Sequence, residues 1–182
     1  MKNRTDARAQ RTREALLEAF FALVLSRPYE QITVQRIVAR AGIARSTFYE
    51  HFAGKPAILT ASLAGPFGLL ADTVAQADNT ATLTALLEHF WSNRAQTRGL
   101  FCGAMRARAV GVLARLIETR LRRSPASRTL RLPRKLAAIQ LAEVLFAPLT
   151  AWLLGEAPCS ASQMARALRS AAVALTAALR AT

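Results

Sequence analysis

Arg45, Ser46, Thr47, Tyr49 and His51 crowd into one short stretch, with Lys55 just beyond. A long cation, two hydroxyls, a phenol, an imidazole and an ammonium are the groups that hydrogen-bond phosphate oxygens and base edges. Thr33 and Gln35, which open the preceding apolar-periodic segment, complete the expected DNA-facing set. The chain offers little for bond-breaking chemistry. His89 stands beside Glu88, but neighbours on a helix point in different directions, and no nucleophile motif or glycine-rich phosphate loop accompanies them. Cys102 and Cys159 are far apart and lack partner His or Cys spacing, so they are expected as reduced thiols, buried or partly buried. Neither an enzyme nor a metal or other cofactor is expected.

The elements around this stretch are those that would hold it out to a ligand. Thr33 is an N-cap residue type, and Ile37, Val38 and Ala41 follow at helical spacing. Gly42 supplies the left-handed conformation a sharp helix-to-helix turn needs, and Ile43 drops between the helices. From Ala44 to Phe52, Phe48 and Phe52 form an inward stripe and leave Arg45, Ser46, Thr47, Tyr49, Glu50 and His51 on the other faces. This pattern predicts a helix-turn-helix. A helix from Arg11 to about Ser26, with Leu16, Ala19, Phe20 and Leu23 on one stripe and Pro28 ending it, packs across both to complete a three-helix head. The polar segment before it, Met1 to Gln10, is expected as a mobile arm. A fourth helix, Lys55 to Ala64, is expected to stop at Gly65-Pro66, the predicted domain boundary, and to carry any distant ligand signal to the recognition helix.

The run G-I-x-R-S-T-F-Y-x-H-F-x-x-K, Gly42 to Lys55, with the amphipathic helix before it, resembles the TetR/AcrR family of one-component bacterial repressors over about the first 64 residues. The resemblance implies phosphate contacts from Tyr49, His51 and Lys55, and base reading by Arg45, Ser46 and Thr47. Two residues depart from the family pattern. Ala44 stands where Ser or Thr usually caps the recognition helix, a loss of roughly 0.5–2 kcal/mol without compensation. Val38 replaces a small Ala at the helix crossing.

Composition sets the wider frame. The 182 residues are 52% hydrophobic but only 7% aromatic, rich in Ala and Leu, and predict an all-α fold. Its expected parts are the N-terminal helix-turn-helix head, residues 1–64, and a C-terminal helical ligand-binding and dimerisation domain, residues 65–182. A net charge of +14, divided as +5 and +9 between them, favours a polyanionic partner such as double-stranded DNA. No uninterrupted apolar run long enough for a membrane span appears, so a cytoplasmic protein without a membrane partner is expected.

The second domain reads as five helices, at about 67–77, 81–98, 100–123, 134–154 and 160–179, with Asn79 and Thr80 as capping candidates for the second and a Ser160–Gln163 capping box opening the last. Ser124-Pro125 and Leu132-Pro133 mark the loop between the third and fourth. Broad apolar surfaces on the last two helices predict a homodimer through Leu141, Leu145, Leu168, Ala172 and Leu175, which also suits a palindromic operator read by two short helices. A small-molecule effector, of unknown identity, would meet Phe67, Phe90, Trp91, Phe101 and Met105. Arg115, Arg120, Arg122, Arg123, Arg128, Arg131, Arg134 and Lys135 concentrate charge, most simply as a solvated face. Two functions compete: a dimeric, ligand-released transcriptional repressor and an effector-independent architectural DNA-binding protein.

Overall fold

Helix α1 spans Lys2–Val24 in the computed structural model, which describes residues 2–24, 26–75, 78–123 and 130–180. The expected arm is therefore helical, because Lys, Arg, Ala and Gln are good helix formers that need no tertiary partner to continue a helix already anchored by Leu16, Phe20 and Leu23. Its exposed turns bond locally, as where Gln10 Nε2 donates to Glu14 Oε1 at 2.7 Å. A 3-10 turn at Tyr29–Gln31 leads to α2 (Val34–Ala41), α3 (Arg45–His51) and α4 (Lys55–Ala71). The chain divides into two units, Met1–Leu63 and Ala64–Thr182, so the division falls within α4.

The continuation of α4 corrects the expected stop at Gly65-Pro66. Pro66 lies inside the helix, where it removes one N–H and costs about 3 kcal/mol. Burial of Phe67, Leu70 and Ala71 just beyond it offsets that cost and holds the helix together.

The second unit continues with a 3-10 turn at Asp72–Ala75, then α5 (Thr80–Ser92), α6 (Arg94–Phe101), α7 (Gly103–Arg123), α8 (Arg134–Leu154) and α9 (Ala161–Ala178). The single helix expected over 81–98 is broken at Asn93, and Gly99 lies within α6 instead of separating helices. The break before α7 comes at Cys102, and Gly103, which opens α7, has a φ of 60° that suits glycine. Ala77, Ser124-Pro125 and Arg128 lie outside the described residues. Asn79 does not cap α5 with its side chain: its amide donates to Leu69 O at 2.9 Å, and Asp78 Oδ1 accepts from Thr80 N and Thr80 Oγ1 at 3.1 and 2.7 Å. The Ser160–Gln163 capping box forms, with Gln163 N donating to Ser160 Oγ at 3.1 Å and Ser160 N to Gln163 Oε1 at 2.9 Å.

Phe67, Phe90, Phe101 and Phe146 make the centre of this unit, with Phe101 stacked on Phe146 at 4.6 Å and edge contacts of 5.7–6.1 Å among the others. Helices α7 and α8 run antiparallel, since Thr150 Oγ1 reaches Phe101 O while Arg106 forks onto Glu143. By length and mean hydropathy, Lys55–Val74 and Arg134–Leu154 each match a membrane span, but half of each is buried in the fold, and α8 carries the ion-paired Glu143.

Burial corrects the expected dimer residues. Leu141, Leu145, Leu168 and Ala172 are sealed within their own unit, because α8 packs on α7 and α9 packs on α5 and α8. Only Leu175 is partly accessible. The large apolar side chains that α8 exposes are Leu136, at 43%, and Ile139, at 40%.

Candidate nucleic-acid interface

The recognition segment is built from its buried residues outward. Thr33 Oγ1 accepts from Arg36 N at 3.2 Å and caps α2 as expected, while Gly42, at φ 65°, closes the helix with its own N–H on Val38 O and Ala39 O. Ile43, half-buried, donates from its N to Val38 O at 3.0 Å. Helix α3 then starts at Arg45 without a side-chain cap, the consequence of Ala44. It is held instead by Phe48, which is 0% exposed, and by Phe52, with their ring centroids 5.7 Å apart. Arg13 of α1 lays its guanidinium over the Phe52 ring at 4.8 Å, so α1 reaches the end of α3 as well as packing on α2.

This anchoring turns the polar side chains outward. Arg45, Ser46 and Glu50 are exposed, Tyr49 is 49% exposed, and Thr47 and His51 are half-buried. Arg45 Nη2 donates to Tyr49 Oη at 3.4 Å, and its guanidinium sits 5.8 Å from the Tyr49 ring centroid, so two residues one turn apart act as one surface. Gln35 and Thr33 are exposed at the start of α2.

Lys55 has a second task that sequence reasoning missed. Its Nζ donates to Tyr29 O at 2.9 Å and lies 4.0 Å from the Tyr29 ring centroid, tying the start of α4 to the turn after α1. The signal was present only as an aromatic residue after Pro28, and nothing in the spacing paired it with a lysine 26 positions away.

Of the five expected effector residues, Phe67, Phe90 and Phe101 come together, but as packed core, and Trp91 turns elsewhere. Phe67, Phe90, Phe101 and Met105 are buried in the core, whereas Trp91 stacks on Trp152 at 4.8 Å and borders a groove of about 310 Å³. Glu88, Ser92, Cys159, Ser160 and Ala161 complete its walls. Cys159 is exposed rather than buried, and its carbonyl accepts from Trp152 Nε1 at 2.9 Å. Among the described residues no group of three or more His, Cys, Asp or Glu side chains is placed to hold a metal ion.

A capped helix, a left-handed glycine turn and a second helix anchored by two phenylalanines define a helix-turn-helix DNA-binding protein. Comparison with known proteins narrows the class. Residues 14–61 match the family described as "Bacterial regulatory proteins, tetR family". Over 55 residues, 30% of this chain, the sequence is 44% identical to the uncharacterized HTH-type transcriptional regulator YxbF of Bacillus subtilis (strain 168), a match spanning 14% of that relative's length. The fold is similar to a TetR transcriptional regulator from Streptococcus agalactiae 2603V, with a TM-score of 0.59 and 22% identity over 95% of this chain and 99% of the other. It is also similar to the TetR family repressor AlkX from Dietzia sp. strain DQ12-45-1b, implicated in biodegradation of n-alkanes, with a TM-score of 0.53 and 17% identity over 92% and 98% of the two chains. Over residues 14–61 the head is thus that of the family of bacterial regulatory proteins of the tetR type, and the chain as a whole shares the fold of TetR-family structures.

Proposed function

We propose that the protein is a dimeric cytoplasmic repressor that occupies a palindromic DNA operator and leaves it when a small molecule binds its second unit. The observation that carries the DNA reading is the outward Arg45–Tyr49 pair over a fully buried Phe48. Arg45, Ser46 and Thr47 then read base edges in the major groove, while Thr33, Gln35, Tyr49 and His51 set register on the phosphates. Lys55 adds charge to that contact from a position fixed by Tyr29.

One short helix reads only a few base pairs, so a dimer doubles the site. The outward faces of α8 and α9, rather than their buried stripes, support this role. Leu136, Ile139 and Ala147 are exposed on α8, and the exposed Ala167, Ser170, Ala174 and Ala177 give α9 a small-residue face on which a second helix can approach closely. The Trp91–Trp152 groove supports an effector with a flat apolar part, and its size is at the lower end for a small-molecule site.

The test is selection of bound duplexes from a random pool, followed by affinity measurement on the enriched sequence and a scrambled one. A repressor prefers the enriched duplex by a factor of about a thousand or more and binds it as a two-to-two complex of chains and half-sites. Equal affinity for both duplexes would replace this reading with the architectural one.

A further inference from the structure

The segments that carry Arg122, Arg123, Arg131, Arg134, Lys135 and Arg180 converge at one end of the second unit. Because α7 and α8 are antiparallel, Arg122 and Arg123 at the end of α7 share this end with Arg134 and Lys135 at the start of α8. Helix α9 returns to it: Leu130 and Arg180 pair in an antiparallel bridge, and Arg131 N donates to Leu179 O at 3.0 Å. No Asp or Glu occurs between Glu118 and Glu143 or after Glu156. Asp72, the acid that reaches α7 near this end, accepts from Arg120 Nε at 2.8 Å.

The charges are not simply solvated. The Nε–H groups of Arg134 and Arg180 are both shut off from water and meet no acceptor. A buried donor on a charged group is costly to leave unmade, and two on adjoining segments lack a shared kind of partner, an oxygen anion. Helix α8 begins here with Pro133 at its N-cap, which supplies no side-chain acceptor for the first-turn N–H groups.

The geometry points to a binding site for a small polyoxyanion, a carboxylate- or phosphate-bearing molecule, held by Arg134 and Arg180 with Arg122, Arg123, Arg131 and Lys135 around them. This site shares no residue with the DNA-reading segment or with the Trp91–Trp152 groove, and stands whether or not either proposed role holds.

The experiment titrates the full chain with citrate and with pyrophosphate by calorimetry, each against sodium chloride of matched ionic strength. Saturable binding of either anion is expected, the stronger identifying carboxylate or phosphate as the natural group. The R134Q/R180Q chain loses at least about tenfold in affinity, since each bond to a charged group is worth about a factor of ten or more. R122Q/R123Q removes the same charge without touching the shielded donors and weakens binding less. If the double variant does not fold, R180Q alone carries the comparison. Absence of saturable binding in the parent chain, or equal losses in the two double variants, would overturn the proposal. It also fails if random duplex DNA, and neither small anion, loses affinity in R134Q/R180Q. R45A, which tests the head, leaves anion binding unchanged.

Discussion

Cations are held by different means in the two units. In the head, Arg13, Arg45 and Lys55 lie over the faces of Phe52, Tyr49 and Tyr29, at 4.8, 5.8 and 4.0 Å from the ring centroids. The second unit uses rings as well, Trp91 under Arg94 at 4.9 Å and Phe146 under Arg106 at 5.8 Å, but it adds tertiary ion pairs: Arg106–Glu143, Arg120–Asp72 and Arg169–Asp78. An aromatic face orders a cation and leaves its charge uncancelled, whereas a carboxylate orders it and cancels it. The head thereby keeps positive charge in a fixed place for a polyanion. The second unit uses Asp72, Asp78 and Glu143, half of its six acids, to join its elements, and has none in sequence between Glu118 and Glu143.

The largest expected effect separates the two units by their cores. Phe48→Ala removes the ring on which α3 rests and costs about 3–5 kcal/mol of head stability, abolishing DNA binding under conditions where the second unit still melts cooperatively. Phe101→Ala costs a similar amount in the second unit, and DNA affinity of the isolated folded fraction is retained. Denaturation followed by circular dichroism, alongside fluorescence of Trp91 and Trp152, distinguishes these outcomes. A single shared transition in both variants would break the comparison.

Next come the ring-held cations themselves. Arg45→Ala lowers discrimination between the enriched operator and single-base variants by about 1–3 kcal/mol at the positions it reads. Lys55→Met is different in kind. It removes the bond to Tyr29 O, lowers head stability by about 1 kcal/mol, and reduces the slope of log affinity against log salt by about 0.9 on every sequence alike. If Lys55→Met altered base preference while Arg45→Ala left it intact, the assignment of reading and anchoring would be reversed.

The head was legible because its function demands particular residue types at close spacing. A turn glycine, Phe48 and Phe52 one turn apart, and Thr33 at a helix start each have a local physical meaning, and the structure places them accordingly. In the second unit the same local rules gave uneven results. Pro66 and Pro148 both lie inside helices, yet only Pro66 stands beside a glycine and reads as a stop. What carries the chain through it is burial of Phe67 and Leu70, a tertiary fact. The apolar stripes on α8 and α9 were visible, but periodicity cannot say whether Leu141 and Leu168 meet their own chain or another. Nor does spacing show that Phe101 stacks on Phe146 while Trp91 turns to Trp152.

The smallest expected effect tests the carboxylate side of the comparison. Asp78 is held below the usual carboxylate range, first by the Thr80 hydroxyl, then by the Thr80 N–H, and then by the Arg169 charge. A carboxyl whose folded pKa is depressed stabilises the fold above its unfolded value, near 4, and that contribution fades as pH falls through the folded value. Asp78→Asn should therefore lower the melting temperature slightly at pH 7, and the parent and variant curves should converge as the pH falls through the depressed folded value. Because Asp78 is exposed, added salt weakens only the Arg169 part, and the portion from Thr80 persists. A difference that grew on acidification would show that the residue acts through something other than its charge. One that vanished fully in high salt at pH 7 would assign the whole effect to Arg169 and none to the cap of α5.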